Sequence, residues 1–452
     1  MKSKILRFLS DEGLRARAMR GAALTLLEVG GSNVLRLISN MILTRLLFPE
    51  AFGLMAIMQV FLSGLHMFSD IGISTAILQN PRADEPRFLN TAWTLQIIRG
   101  VVLWIGACAL AWPVARAYDE PMLLWMMPVA GFTAVISGFN TTKLIEANRH
   151  LRLGRQTFLG LIWQAVGIVI SGLLAWWLAS VWALIWSGLL TALLNMVFMH
   201  LRMPGTPNRP HWDREIAREI MGFGRFIFLG TVASFFLNQS DKLILGAFVS
   251  MARLGIYNIG AFLGTAPLLL THALASRVIL PLYRMRPPGE SAANRRHVLR
   301  ARRLIVLVSL ASTFPLAFGG PWLIDLLYDT RYSTAGIIVS LGALASVPQI
   351  VFASYGGMLL AHGDSRRHFL LVMITALLQV GFMLLGIWQL GVIGAVLAPG
   401  AAWLAAYPLI SRGARLYDAD DSLGEILLLA LGLGVNGLAC LLHAGAIRVW
   451  LS

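Results

Sequence analysis

Eight ionisable side chains fall inside long apolar runs: Glu28, Arg36, Asp70, Arg99, Arg225, Asp241, Lys242 and Arg277. A charge held at mid-depth in hydrocarbon costs at least about 3 kcal/mol, so such groups line a wet cavity or pair with one another. Helical spacing sorts them into stripes. Asn33, Arg36 and Asn40 share one face of the first run, Ser63, His66 and Asp70 one face of the second. Gln96 and Arg99 do the same in the third run, and Ser234, Asn238 and Asp241 in the seventh. A guanidinium donates two parallel hydrogen bonds to a phosphate or carboxylate. Arg36, Arg99, Arg225 and Arg277, with Asn33 and Asn40, are therefore candidates for a cationic substrate site. The competing reading is helix-locking salt bridges, or snorkelling for Arg225 and Arg277, which lie nearer the span ends. Asp70 and Glu28 are candidates for coupling to H+ or Na+, since a desolvated carboxylate takes up a proton more readily. Their alternative is pairing with a nearby Arg. Asp241 and Lys242 read as a structural pair, and His66 as a packed core histidine or a relay. No HExxH, Walker loop or GxSxG accompanies them, so no cofactor and no metal are expected beyond a coupling ion.

The elements that position these residues are membrane spans. The 452-residue chain is 57% hydrophobic and 13% charged, far below the ~25% charge of soluble domains. A bilayer core needs about 20 apolar residues per helix. The runs fall near 21–47, 51–78, 89–115, 121–143, 155–178, 181–200, 221–248, 253–283, 303–328, 334–361, 368–389, 393–411 and 424–446. The expected fold is an all-α integral membrane protein of about 13 transmembrane helices. The basic start and the run from Gly21 to Leu47 resemble a signal peptide, but the run is too long for one and is read as a retained span. Most of the 37 Lys and Arg lie before span 1 and after each even-numbered span. The opposite loops hold only Arg45, Arg116, Arg253, Arg331 and Arg448. Cytoplasmic loops retain Lys and Arg, so the N-terminus is expected inside. The net charge of +15 then requires no nucleic-acid partner.

The expected organisation is a basic N-terminus (1–20), a six-span lobe (21–203), a cytoplasmic linker (204–220), a second six-span lobe (221–415) and an extra C-terminal span (416–452). The linker joins a Pro/Gly stretch to a short amphipathic one and reads as a hinge. The arginine-rich 284–303 loop is expected against anionic headgroups, making membrane lipids a partner. A sequence echo at an offset of 202 residues lays Ile42–Ile57 over Ile244–Ile259, with Ile42, Leu43, Gly53 and Ile57 matched identically. It favours two parallel repeats. Pro128, Pro267, Pro315, Pro348 and Pro399 lie inside spans and permit bending. Cys108 and Cys440 sit in apolar runs, away from any disulfide or thiolate-metal pattern.

Two blocks carry a family resemblance. "LTRLLFPEAFGLMAIMQVFLSGLHMFSDIGISTAILQNP" resembles the first two spans of polysaccharide-biosynthesis flippases of the multidrug/oligosaccharidyl-lipid/polysaccharide (MOP) superfamily. "FLNQSDKLILGAFVSMARLGIYNIGAFLGTAPLLLTHALASRVILPLY" resembles their spans 7 and 8, and "TTKLIEANRHLRLGRQTF" their loop between spans 4 and 5. The resemblance implies two six-helix bundles around a central cavity. It implies movement of an undecaprenyl-diphosphate-linked oligosaccharide from the cytoplasmic to the periplasmic leaflet of the bacterial inner membrane, with Arg36, Arg99 and Arg225 contacting its anionic part. A polysaccharide polymerase and glycosyltransferases are the implied partners.

Two other functions compete. An ion-coupled drug or metabolite antiporter of the same superfamily would need a cavity dominated by carboxylates. A membrane polysaccharide polymerase or glycosyltransferase would need a large outside loop with catalytic residues, and the outside loops here are short turns. The charge alternation makes a direct prediction. Cysteine labelling from outside intact cells should reach the turns near Pro49 and Arg331 and leave residues 201–220 and 284–303 unmodified. Labelling of 284–303 from outside would overturn the topology.

Overall fold

The computed structural model describes residues 14–69, 72–149, 153–224 and 228–448. Among them the chain is helical without strands, as hydrocarbon demands of backbone that must bond to itself. Among the described residues ten helices are long and apolar enough to cross a membrane. The chain divides into two compact units. One comprises Met1–Leu47 and Phe61–Leu229, the other Phe48–Val60 and Gly230–Ser452.

The first unit is built on α1 (Leu14–Leu46), the second half of α2 (Pro49–Phe68), the short α3 (Ile73–Gln79), α4 (Pro86–Ala117) and α5 (Leu123–Gly138). The short α6 (Lys143–Arg149), then α7 (Leu153–Leu178), α8 (Trp182–Arg202) and α9 (Arg214–Gly224) complete it. Helices α4 and α5 pack closely, as do α1 with α7 and α7 with α8. The linker between α8 and α9 is held against this unit. Asn208 Oδ1 accepts from Thr141 Oγ1 (2.8 Å) and Thr142 N (3.1 Å), and Lys143 Nζ donates to the His200 carbonyl (3.1 Å). Amphipathic α9 buries Ile216, Ala217 and Ile220 against Ile73, Ile77, Phe88 and Leu89.

The second unit contains α10 (Phe228–Phe248), α11 (Met251–Gly264), α12 (Ala266–Leu274) and α13 (Leu280–Met285). It continues with α14 (Ala292–Leu327), α15 (Ala335–Ala361), α16 (Ser365–Leu390), α17 (Val392–Leu416), α18 (Ser422–Leu442) and the short α19 (Ala444–Arg448). The span expected at 253–283 is not continuous. It is interrupted at Thr265, where Pro267 has no N–H to continue the ladder, and again by a π-turn over Ala275–Ile279. Small side chains throughout α15 let α11, α14, α17 and α18 close around it, and its residues are almost all buried. Side chains cap the helix starts: Ser250, Ser291 and Asp364 accept from the backbone N–H of Arg253, Asn294 and Arg367.

The two segments of the sequence echo meet inside this second unit. A Cβ on Gly53 would strike the Met251 carbonyl, and one on Gly255 would strike the Pro49 carbonyl. Pro49 and Gly53 are the echo partners of Met251 and Gly255, so equivalent positions make reciprocal contacts between the starts of α2 and α11. Exposed tryptophans include Trp112, Trp125, Trp176, Trp177 and Trp186 on helices of the first unit, Trp212 in the linker, and Trp322 and Trp388 in the second unit.

The reciprocal contact is testable. Gly53→Ala and Gly255→Ala each place a methyl on a backbone carbonyl and should destabilise the protein by about 1–3 kcal/mol, as overpacking does. Gly381→Ala, whose Cβ meets nothing within 4 Å, should leave the melting temperature in detergent within a degree or two of wild type.

Candidate substrate-binding site

Three helices of the first unit line an open cleft of about 480 Å³. From α1 come Arg36 and Ser39, from α7 Trp163, Gln164, Gly167 and Ser171, and from α8 Ser187, Gly188, Thr191 and Asn195. The lining positions recur at helical spacing: 36 and 39 on α1, 164, 167 and 171 on α7, and 187, 191 and 195 on α8. Each helix therefore presents one polar stripe to the others. Some of these groups are bonded within the protein. Gln164 Nε2 donates to the Ser32 carbonyl (2.9 Å), Ser171 Oγ to Ser187 Oγ (2.8 Å), and Ser187 Oγ to the Leu184 carbonyl (2.9 Å). Thr191 Oγ1 and Asn195 Oδ1 are buried with no hydrogen-bond partner among the described residues. An unsatisfied buried polar atom costs about 1–3 kcal/mol. Arg36 is the one cation of the lining, and its side chain is exposed.

The other residues singled out by sequence are dispersed. Asn33 and Asn40 are half-buried on α1 but do not line this cleft. Arg99 is engaged at the end of α2, where Nη2 donates to the His66 carbonyl (2.7 Å) and Nε to Ser69 Oγ (3.1 Å). A cation at a helix C-terminus satisfies orphan carbonyls and opposes the helix dipole. Gln96, one turn away, does the same for α5, reaching the carbonyls of Ser137, Gly138 and Asn140 at 3.0–3.1 Å. Arg277 lies in the π-turn of the second unit, with Nη1 buried and without a hydrogen-bond partner among the described residues. Asp241 accepts from Tyr257 OH at 2.9 Å, and no ion pair joins it to Lys242 among the described residues. Asp70 and Arg225 lie outside the described residues, as does the side chain of Glu28, whose backbone belongs to α1.

Sequence reasoning passed over two groups. The neutral stripes of α7 and α8 carry a weak signal within apolar runs, although their helical spacing is visible in the sequence. The second group is a buried polar knot in the second unit. Arg302, Tyr355 and Glu425 are each 3% exposed or less. Arg302 Nη2 pairs with Glu425 Oε1 (2.9 Å), and its Nε donates to Ser354 Oγ (2.8 Å). The Arg302 Nη1 also donates to Tyr355 OH, which in turn donates to Glu425. Its guanidinium carbon lies 3.8 Å from the centroid of the Tyr355 ring. Either side of the knot, Arg295 pairs with Asp420 (2.9 Å) and Arg303 with Asp421 (2.5 Å). Three arginines of α14 thus meet three carboxylates at the start of α18. Arg302 was counted among the topogenic loop arginines, and nothing in the local sequence separates it from them.

The apolar helices define a multi-pass membrane protein, with a polar cleft between three of them. A family model described as "Polysaccharide biosynthesis protein" matches residues 42–336, and the chain belongs to that family. Over 356 residues it is 21% identical to the teichuronic acid biosynthesis protein TuaB of Bacillus subtilis (strain 168), covering 75% of this chain and 72% of TuaB. Over 303 residues it is 20% identical to the succinoglycan biosynthesis transport protein ExoT of Rhizobium meliloti (strain 1021), covering 66% of this chain and 59% of ExoT. Among solved structures, the lipid II flippase MurJ in an inward closed conformation superposes with a TM-score of 0.66 at 10% identity, covering 95% of this chain and 98% of that one. An inward-facing multidrug resistance MATE family transporter of the MOP superfamily gives 0.59 at 17% identity, covering 90% and 95%. At these identities the likeness shows the fold alone, which the chain shares with these two proteins.

The knot makes its own prediction. Removing one partner of a buried ion pair leaves the other charge uncompensated, at a cost of about 3–5 kcal/mol. Glu425→Ala should therefore lower the amount of folded protein in the membrane and its melting temperature in detergent. The exposed Arg300→Ala should change neither.

Proposed function

We propose that the protein is a flippase for an undecaprenyl-diphosphate-linked oligosaccharide, a repeat unit of O-antigen, capsule or exopolysaccharide. It carries this lipid from the cytoplasmic to the periplasmic leaflet of the bacterial inner membrane by alternating access. Membership in a polysaccharide biosynthesis family supports this, as do relatives named for teichuronic acid and succinoglycan. The observation that carries the reading is the cleft, in which one arginine stands beside hydroxyl and carboxamide groups. A diphosphate takes the guanidinium through paired hydrogen bonds, and a glycan supplies hydroxyls for the rest. Basic loops on alternate connections support an N-terminus in the cytoplasm. The proposal includes coupling to a H+ or Na+ gradient through Asp70 or Glu28. It also includes a polymerase and glycosyltransferases as partners that consume and supply the lipid. A groove on α14 lined by Arg296, Arg300, Arg303 and three leucines supports contact with anionic lipid headgroups.

The test is translocation of lipid-linked sugar normalised to membrane protein level. Arg36→Ala should reduce turnover about tenfold or more, the equivalent of one charge-assisted hydrogen bond. Arg36→Lys should fall between it and wild type, because an ammonium lacks the planar fork. Arg99→Ala should instead lower the amount of protein while leaving transport per molecule near normal. In the same assay Asp70→Asn or Glu28→Gln should abolish dependence on the gradient. Normal turnover per molecule in Arg36→Ala would overturn the anion-site reading.

A further inference from the structure

Three helices of the second unit leave a narrow slot of about 210 Å³ between them. Leu370 and Ile374 of α16 line one side, Leu409, Gly413 and Leu416 of α17 the other, with Met358 and Leu359 of α15 at the back. These positions recur every three or four residues, so each helix gives the slot one apolar stripe. The back is buried, while Leu370, Leu409 and Leu416 at the edges are exposed. The slot therefore opens at the outside of the helices, where a span meets hydrocarbon.

The α16–α17 hairpin explains why there is room. Near its Gly391 turn the two helices touch backbone to backbone, and a Cβ on Gly386 or Gly394 would strike the other glycine. Arg367 and Gly413 lie equally far from that contact along the two helices, and there the approach is loose. A Cβ on Gly413 would meet only Leu359 Cδ2, at 3.8 Å. Two arginines stand at this end of the slot, Arg367 on α16 and Arg412 on α17. Arg367 Nη1 donates to Asp364 Oδ2 (2.6 Å), which also accepts from Tyr417 OH (2.9 Å). Arg412 is exposed and makes no ion pair among the described residues. An apolar slot with cations at one end complements a hydrocarbon chain that ends in an anion.

We infer that the slot holds one acyl chain of an anionic phospholipid, in the cytoplasmic leaflet that the charge alternation predicts for this end. Arg412 and the remaining donors of Arg367 hold its phosphate, as basic pockets between transmembrane helices hold phospholipid headgroups. The slot is smaller than the ~300–1,000 Å³ of small-molecule sites. It takes an unbranched chain more readily than a polyprenyl chain with a methyl on every fourth carbon. Bulk phospholipid is also the more abundant of the two, and occupancy follows concentration. The α14 groove differs, since its arginines and leucines lie on a single helix. Filling the slot joins α15, α16 and α17 where the hairpin is loosest, which makes the lipid a structural ligand of the second unit. The inference does not depend on what the protein transports.

The experiment is photolabelling of the full-length protein in phosphatidylcholine nanodiscs. These are doped with phosphatidylglycerol bearing a diazirine on one acyl chain, and labelled residues are located by mass spectrometry. Label should concentrate at Leu370, Ile374, Leu409 and Leu416, above its level at the exposed Leu384 and Leu385 of the same hairpin. Unlabelled phosphatidylglycerol should displace it, and water-soluble glycerol phosphate should not. Arg412→Ala should cut slot labelling about tenfold, the equivalent of one charge-assisted hydrogen bond. Gly413→Leu should fill the slot and abolish that label, leaving Leu384 and Leu385 unchanged. Arg412→Ala alters an exposed side chain and carries the test if Gly413→Leu does not accumulate in the membrane. Even labelling along α16, or slot labelling unchanged in Arg412→Ala, would overturn the site. Equal slot labelling by diazirine-bearing phosphatidylcholine would do the same, as would displacement by undecaprenyl phosphate at or below the effective concentration of phosphatidylglycerol.

Discussion

Hydrocarbon offers no hydrogen bonds, so each backbone carbonyl and each polar side chain in a span must find a partner inside the protein or lie on a wet surface. The rest of the structure follows from how that demand is met. Helices satisfy their own interiors, and their ends are finished by side chains brought from neighbours. Gln96 and Arg99 leave α4 to close α5 and α2. Gln379 leaves α16 to bond the Leu237 carbonyl (3.0 Å) and Ser240 Oγ (3.0 Å) of α10. Asn436 on α18 reaches Thr313 Oγ1 on α14 at 3.0 Å. Interhelical polar contacts of this kind contribute about 0.6 kcal/mol each on average. Their greater effect is on register, since each fixes which turn faces which.

The two units answer the demand differently. In the second, glycine, alanine and serine along α15 let backbones approach, and Arg302, Tyr355 and Glu425 form a buried knot at one end. In the first, the interior between α1, α7 and α8 is left open and its polar groups are only partly satisfied. Both units keep buried polar atoms without a hydrogen-bond partner among the described residues, Thr191 and Asn195 in the first and Arg277 and Tyr283 among those of the second.

Much of this architecture was legible in the chain. Apolar runs bounded by arginine clusters gave spans that the helices overlie closely, as at 334–361 against Ala335–Ala361 and 368–389 against Ser365–Leu390. The echo that paired Gly53 with Gly255 turned out to mark positions in reciprocal contact. What stayed hidden depends on partners distant in sequence. Arg99 reads as a cavity cation until Ser69 and the His66 carbonyl are placed beside it. Arg302 reads as one more loop arginine until Glu425 arrives from 123 residues away. The stripe of Ser187, Thr191 and Asn195 was visible as spacing, but neutral residues in a span carry a weak signal unless a second stripe faces them. The break in the 253–283 span was foreshadowed by Pro267, though not the π-turn that follows.

The pairing of α14 with α18 has a consequence for biogenesis. Arg295, Arg302 and Arg303 leave the ribosome more than a hundred residues before Asp420, Asp421 and Glu425. During that interval the arginines lack the carboxylates they finally pair with. Once α18 inserts, the same arginines are neutralised, and one of them is enclosed. The joint between α14 and α18 therefore depends on charges contributed at widely separated times. The second unit cannot reach its final packing until α18 has been synthesised.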